Sequence, residues 1–306
     1  MLRFILARLL VSIPTLFIIV AVTFFMMRLA PGGPFDRERA LPPEIEANLR
    51  ATYHLDEPLV VQFGRYVGRL LHGDFGPSFK YPDRSVTELI AAGAPVSFRL
   101  GIVAMALALG IGITLGLAAA WRQNSWLDHS AMALSMTGIA VPNFVLAPLL
   151  ALAFGIWLHW LPVQGWEGFS STVLPTLALC FPYIAAIARL TRGSALEILS
   201  SDFIRTARAK GLPERTVLIR HALKPTLMPV LSFLGPATAG IITGSVVIEN
   251  IFQVPGLGRY FIQGGLNRDY TLVLGVVLFY GVLIILLNLA VDLAYGLLDP
   301  RLRTRR

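Results

Sequence analysis

Six stretches of the chain are long and apolar enough to cross a lipid bilayer as helices, and this restricts its fold more than any other feature. A hydrocarbon core of about 30 Å takes about 20 apolar residues at helical rise, and within lipid each backbone polar group must be satisfied inside the segment. The runs fall at 9–27, 98–121, 131–157, 173–188, 227–248 and 272–298. Pro142 and Pro148, Pro175 and Pro182, and Pro229 and Pro236 lie in the third, fourth and fifth, which are therefore expected to be kinked. Composition agrees, since only 14% of residues are charged, too few to cover a soluble sphere, and 55% are hydrophobic, which excludes disorder. The expected fold class is an all-α polytopic membrane protein with six transmembrane helices.

Arg3 and Arg8 precede the first run and Ala30-Pro31-Gly32-Gly33 follows it, an arrangement that imitates a secretory signal. The apolar stretch is longer than a signal core and lacks a convincing small-x-small cleavage site, so an uncleaved first helix is expected. The single cysteine, Cys180, rules out an intrachain disulfide and a thiolate cluster, and the five histidines are scattered without HExxH spacing, so no metal site is expected.

Charge placement sets the orientation. Fifteen of the twenty-six cations fall on the termini, the connection after span two and the connection between spans four and five, leaving the other short connections nearly free of them. By the positive-inside rule that side is cytoplasmic and both termini share it. The net charge of +8 is then an orientation signal, and nucleic acid is not needed to explain it.

The expected organisation is a first segment 1–29, an external loop domain 30–97 and a core 98–306 that carries the cytoplasmic loop 191–225. In the external segment Pro42-Pro43 can open one helix, with Ile45, Leu49 and Tyr53 on a face. Asp56 and Pro58 can open another, with Val60, Phe63, Val67 and Leu70 in register and Gly73 as its stop. Ser85-x-x-Glu88 has the form of a capping box. The segment reads as a small helical cap or docking platform; the alternative is a solvated connector. Asp74-Phe75-Gly76 spells a kinase magnesium motif, but none of the companion kinase motifs occurs, and a glycine-rich turn with an exposed Phe75 is the plainer account.

In the cytoplasmic loop every boundary signal marks one short helix. Ser201 stands at the N-cap, Asp202 in the first turn, Arg208 and Lys210 in the last, Gly211 at C′, and Pro213 blocks continuation. Phe203, Ile204 and Ala207 give it an apolar side, with Arg205 and Arg208 beside it. Such a helix can plug a groove on another protein or lie on anionic lipid, and local physics does not choose between them. No GxxxxGK[ST] occurs, so a nucleotide site of the P-loop kind is not expected. Within the spans ionisable groups are scarce; Asp292, one turn from Asn288 and Tyr295, reads as a hydrogen-bonded structural group. A stand-alone secondary transporter or channel is the main rival reading, and a membrane enzyme the second.

Arg205-Thr206-Ala207-Arg208-Ala209-Lys210-Gly211, followed by His221-Ala222-Leu223-Lys224-Pro225, resembles the EAA loop of bacterial ABC importer permeases. Arg205 replaces the consensus glutamate, a form common in the peptide branch, and Pro225 comes one position late. Ile13-Pro14-Thr15, Arg28-Leu29-Ala30-Pro31-Gly32, Gly73-Asp74-Phe75-Gly76-Pro77-Ser78, Pro255-Gly256-Leu257-Gly258 and Asp299-Pro300-Arg301 extend the likeness over the whole chain. The chain is similar to the B-type permease subunits of the oligopeptide (dipeptide/oligopeptide/nickel) importers. The resemblance implies a type I-like permease fold in the bacterial inner membrane, without its own enzymatic site or cofactor. It also implies a heterodimer with a second homologous permease, two ABC ATPase subunits that use ATP and Mg, an external peptide-binding protein and a peptide substrate. It makes Asp202 to Gly211 the ATPase-coupling element, and Asp74, Phe75 and Gly76 candidates for docking the binding protein. Its surroundings would be membrane lipid, with no nucleic acid.

Overall fold

A computed structural model of the chain describes residues 2–29, 54–81 and 83–298, with side chains at 8, 10–29, 54–81 and 83–293. The described residues form helices joined by turns and loops: α1 (Leu2–Leu29), α2 (Leu59–Leu71), α3 (Val86–Trp121), α4 (Trp126–Ala140), α5 (Asn143–Trp157), α6 (Ser170–Leu199), α7 (Asp202–Ala209), α8 (Glu214–Ile251), α9 (Leu257–Leu266) and α10 (Tyr270–Leu298). Five helices are long and apolar enough to span a membrane, and α4 with α5 would make a sixth if the bent pair is one span. The helix proposed after Pro42-Pro43 and the C-terminal cations from Arg301 onward lie outside the described residues.

The third apolar run is where sequence and structure part most. It is a bend of 108° between α4 and α5 rather than a kink. Pro142 supplies the reason: it has no N–H to extend α4 and it disfavours helical backbone at Val141, which is extended at ψ 116°. Within α5, Pro148 removes another donor, and the chain continues from Ala151 in a π-helical register. α3 and α8, of 36 and 38 residues, outrun the apolar stretches that announced them. At 1.5 Å per residue each exceeds about 50 Å, well beyond a hydrocarbon core.

The chain divides into two compact units, 1–97 with 255–285 and 98–254 with 286–306. In the first, Val20 and Phe24 of α1 pack with Tyr66 of α2 and Leu274 of α10. The Phe24 and Phe63 rings meet edge to face at 5.3 Å. The expected face of α2 is thereby corrected. Val60 is 74% exposed, and the inward positions are Gln62 and Tyr66, with Phe63 and Leu70 beside them. Gln62 can go inside because its amide donates to the carbonyls of Leu55 and Glu57 at 3.0 and 2.7 Å. Gly73, at φ +75°, follows α2 as expected. The capping box is present in both directions, Ser85 N–H to Glu88 Oε2 at 3.0 Å and Glu88 N–H to Ser85 Oγ at 3.2 Å.

In the second unit α6 packs against α4, α5 and α8. Small residues allow the close approaches that membrane helices use in place of a hydrophobic drive. A Cβ at Gly116 of α3 would stand 2.5 Å from the carbonyl oxygen of Ala188 and 2.6 Å from Cβ of Thr191, both on α6. The start of α4 is tied to α6 by Asp128, only 2% exposed, which accepts from Arg192 Nε at 2.5 Å and Nη2 at 2.7 Å. Asn288 lies against α8, its Oδ1 2.9 Å from where a Cβ on Gly235 would be, and Asp292 is half-buried on the next turn of α10.

Candidate functional site

The loop helix between α6 and α8 forms where its boundary signals put it. α7 runs Asp202–Ala209 and is closed by a complete Schellman turn. Gly211 N–H donates to the Arg208 carbonyl at 2.9 Å, and Leu212 N–H to that of Ala207 at 3.4 Å. Gly211 has φ +75°, the left-handed region glycine enters without a Cβ penalty. The start differs from expectation. Ser201 stands at the N-cap, but its hydroxyl donates back to the Ile198 carbonyl at 2.6 Å and makes no cap bond into α7. Asp202 sits in the first turn and pairs loosely with Arg205 at 3.3 Å, both exposed.

The apolar side of α7 is divided between two tasks. Ile204 and Ala207, 0% and 6% exposed, pack with Val217 and Ala222 of α8 and with Ile198 and Leu199 of α6. The expectation that Ala207 lies on an outward contact side is therefore corrected, because its methyl is sealed within its own chain. Phe203 remains 48% exposed, with Arg205, Thr206, Arg208, Ala209 and Lys210 also at the surface. Arg208 is also occupied. Its guanidinium forks onto Glu214 at 3.1 and 2.7 Å, bridging the Gly211 turn from α7 to α8. The hydrogen bond from Arg208 holds the Glu214 carboxyl below its ordinary range, with a small opposing effect of desolvation, and holds the Arg208 guanidinium above its own.

The glycine-rich turn after α2 is built for internal packing. Asp74 is exposed and its Oδ1 accepts the Gly76 N–H at 2.8 Å, while Gly76, at φ +91°, is buried. Phe75 is half-buried, not exposed as expected, with its ring 3.4 Å from where a Cβ on Gly275 of α10 would stand. The segment after it is fastened by Asp269, a buried residue that the sequence reading passed over. Asp269 Oδ2 accepts from Ser78 Oγ at 2.5 Å and from Lys80 N–H at 3.2 Å, and Oδ1 caps α10 through Leu272 N–H at 3.1 Å. An acid just before the apolar run at 272–298 was a legible N-cap signal. Its second partner, 191 residues away, was not.

These features define an all-helical, multi-pass membrane protein that presents a short, packed loop helix outside its apolar spans. Residues 112–304 match the family described as binding-protein-dependent transport system inner membrane component, and residues 1–85 match the N-terminal membrane component of such systems. The chain belongs to this family of inner membrane transport components. It is 55% identical over 305 residues to the oligopeptide transport system permease protein OppB of Escherichia coli K12, covering 99% of this chain and 100% of that one. Identity is 53% with the OppB of Haemophilus influenzae, over the same shares of each chain. The dipeptide transport system permease protein DppB of Bacillus subtilis is 44% identical, over 100% of this chain and 99% of its own.

Proposed function

We propose that this chain is a pathway-forming permease subunit of an ATP-driven peptide importer in the bacterial inner membrane. It would pair with a second, homologous permease and hold both termini in the cytoplasm. Full-length identity to oligopeptide and dipeptide permeases supports the substrate class, and the cations clustered on the inner connections support the orientation. The proposed organisation is the first span within 1–29, an external loop domain over 30–97 and the permease core over 98–306. The energy would come from two ATPase subunits, which bind the ATP and Mg, and peptide would arrive on an external binding protein. Asp74, exposed at the rim of the turn, is the proposed outer contact for that protein; Phe75 and Gly76 pack inward and would shape the turn behind it. Asn288 and Asp292 would hold α10 to its neighbours as polar struts.

The observation that carries the coupling role is the two-sidedness of α7. Asp202 to Gly211 form a rigid knob, locked to its own chain by Ile204 and Ala207 and open to a partner at Phe203. Because Val217 and Ala222 belong to α8, which continues to Ile251, a push on α7 is delivered to a helix that crosses the membrane. ATPase closure would then move these helices as a body between inward- and outward-facing arrangements.

The test is Phe203→Ala in the co-expressed assembly. The permease should reach the membrane in normal amount, with ATPase co-purification and peptide uptake both reduced. Normal co-purification together with normal uptake would remove the coupling assignment.

A further inference from the structure

A cavity of about 270 Å³ in the first unit is bordered by three arginines, Arg28, Arg65 and Arg69, together with Tyr66 and Gln62. Arg28 ends the apolar α1, and its guanidinium lies 5.5 and 5.2 Å from the ring centres of Phe24 and Tyr270. Arg65 is neutralised by Glu57 at 2.7 Å. No carboxylate among the described residues pairs with Arg28 or Arg69.

Among the described residues, three buried polar atoms of this group have no hydrogen-bond partner: Arg28 Nε, the Tyr66 hydroxyl and Gln62 Oε1. Tyr66 and Gln62 are each 7% exposed. Buried polar atoms are rarely left so, and three of them on residues that line one cavity point to a ligand. Burial raises the Tyr66 hydroxyl pKa, so it remains a donor. The amide nitrogen of Gln62 is already committed to two carbonyls, which leaves Oε1 as the acceptor.

A matching ligand carries an anion for two guanidiniums that no described carboxylate neutralises and for a phenol, and a donor of its own for an amide oxygen. A simple carboxylate offers only the first; a phosphodiester bearing an ammonium or hydroxyl offers both. The space lies below the 300–1,000 Å³ common for larger ligands and suits a headgroup better than a peptide. α1 also presents exposed Phe17, Val22 and Met26 before Arg28, an apolar surface of the kind that faces acyl chains. We propose that this cavity seats the headgroup of a membrane phospholipid, with Arg28, Arg69 and the Tyr66 hydroxyl donating to its phosphate and Gln62 accepting from its ammonium or hydroxyl.

The test counts phospholipids retained through stepwise detergent washing, by native mass spectrometry of the assembly purified with its partner subunits from membranes of phosphatidylethanolamine and phosphatidylglycerol. The wild type should keep a tightly held phospholipid, and Arg28→Gln with Arg69→Gln should lower its retention about tenfold or more, as expected for lost charge-assisted bonds. Tyr66→Phe, which keeps the ring, should give a smaller loss, and Arg69→Lys should retain more than Arg69→Gln. Inorganic phosphate and an acidic tripeptide, added as competitors, should not displace the retained species. Equal retention in wild type and double variant overturns the proposal, as does displacement by either competitor. If the double variant fails to assemble, unchanged retention in both Tyr66→Phe and Arg69→Gln overturns it.

Discussion

Phe203 and Ala207 sit on one flank of α7, but one is open to a partner and the other is sealed. Ala207→Glu would push a carboxylate against Val217 and Ala222, an overpacked and unpaired charge costing on the order of 2–5 kcal/mol. The expected outcome is new protease cleavage within 200–222 along with lost ATPase co-purification. Phe203→Ala should lose co-purification and keep protease resistance. Should Ala207→Glu resist protease like the wild type, the inward packing of Ala207 is wrong. Gly211 isolates a different cause. Its surroundings are open, so a new Cβ meets no atom within 4 Å and the whole cost is backbone, about 1–2 kcal/mol for an ordinary residue held left-handed. Asparagine tolerates that conformation best among the alternatives, so protease protection of the loop should fall in the order wild type, Gly211→Asn, Gly211→Val. Equal protection in Asn and Val variants would dismiss the Schellman account.

The turn from α7 to α8 acts as one piece because Arg208 clamps Glu214 across Gly211. Glu214 has its folded pKa depressed below the ordinary 4.5, chiefly by the Arg208 hydrogen bond. A depressed carboxylate pKa means that the clamp contributes fully above the unfolded value and is lost as pH falls through the folded one. Protease protection of residues 210–214 is therefore expected to be flat through neutral pH and to weaken only below the ordinary glutamate range, with Glu214→Gln removing that acid dependence. The change should be small, because the pair is exposed and solvent screens it. A dependence centred near neutrality would point to another group. Boundaries of this kind were legible in the sequence because caps are local: the Ser85–Glu88 box, Gly73, Gly211 and Pro213 announce themselves within a few residues. Burial and long-range pairing were less so. Gln62 was passed over for Val60 because polarity predicts exposure until the amide's partners are known, and Ala207 because an apolar letter does not say which protein will cover it. The ties of Asp128 to Arg192, 64 residues apart, and of Asp269 to Ser78, 191 apart, depend on how helices meet, which no local pattern records.

The whole molecule has to be two-sided if α7 is to meet an ATPase while the turn at Asp74 meets a binding protein. No GxxxxGK[ST] motif occurs in the sequence, and under the proposed function the purified subunit freed of partners is expected to show no ATP hydrolysis, with turnover appearing only when the ATPases are added back. Sidedness can be read independently with an impermeant maleimide. Ser78 is 1% exposed and hydrogen-bonded to Asp269, so a cysteine there would report burial rather than side. His72 and Lys210 are both exposed, at the end of α2 and at the end of α7, and the native Cys180 is buried and should give little background. Fifteen of twenty-six cations lie on the inner connections and termini under the proposed orientation, so moving them across the membrane would oppose the bias that sets topology. His72→Cys should therefore be labelled in intact spheroplasts, and Lys210→Cys only after the membrane is opened. Labelling of Lys210→Cys from outside would place α7 where no cytoplasmic ATPase can reach it, and would overturn the orientation and the coupling role together.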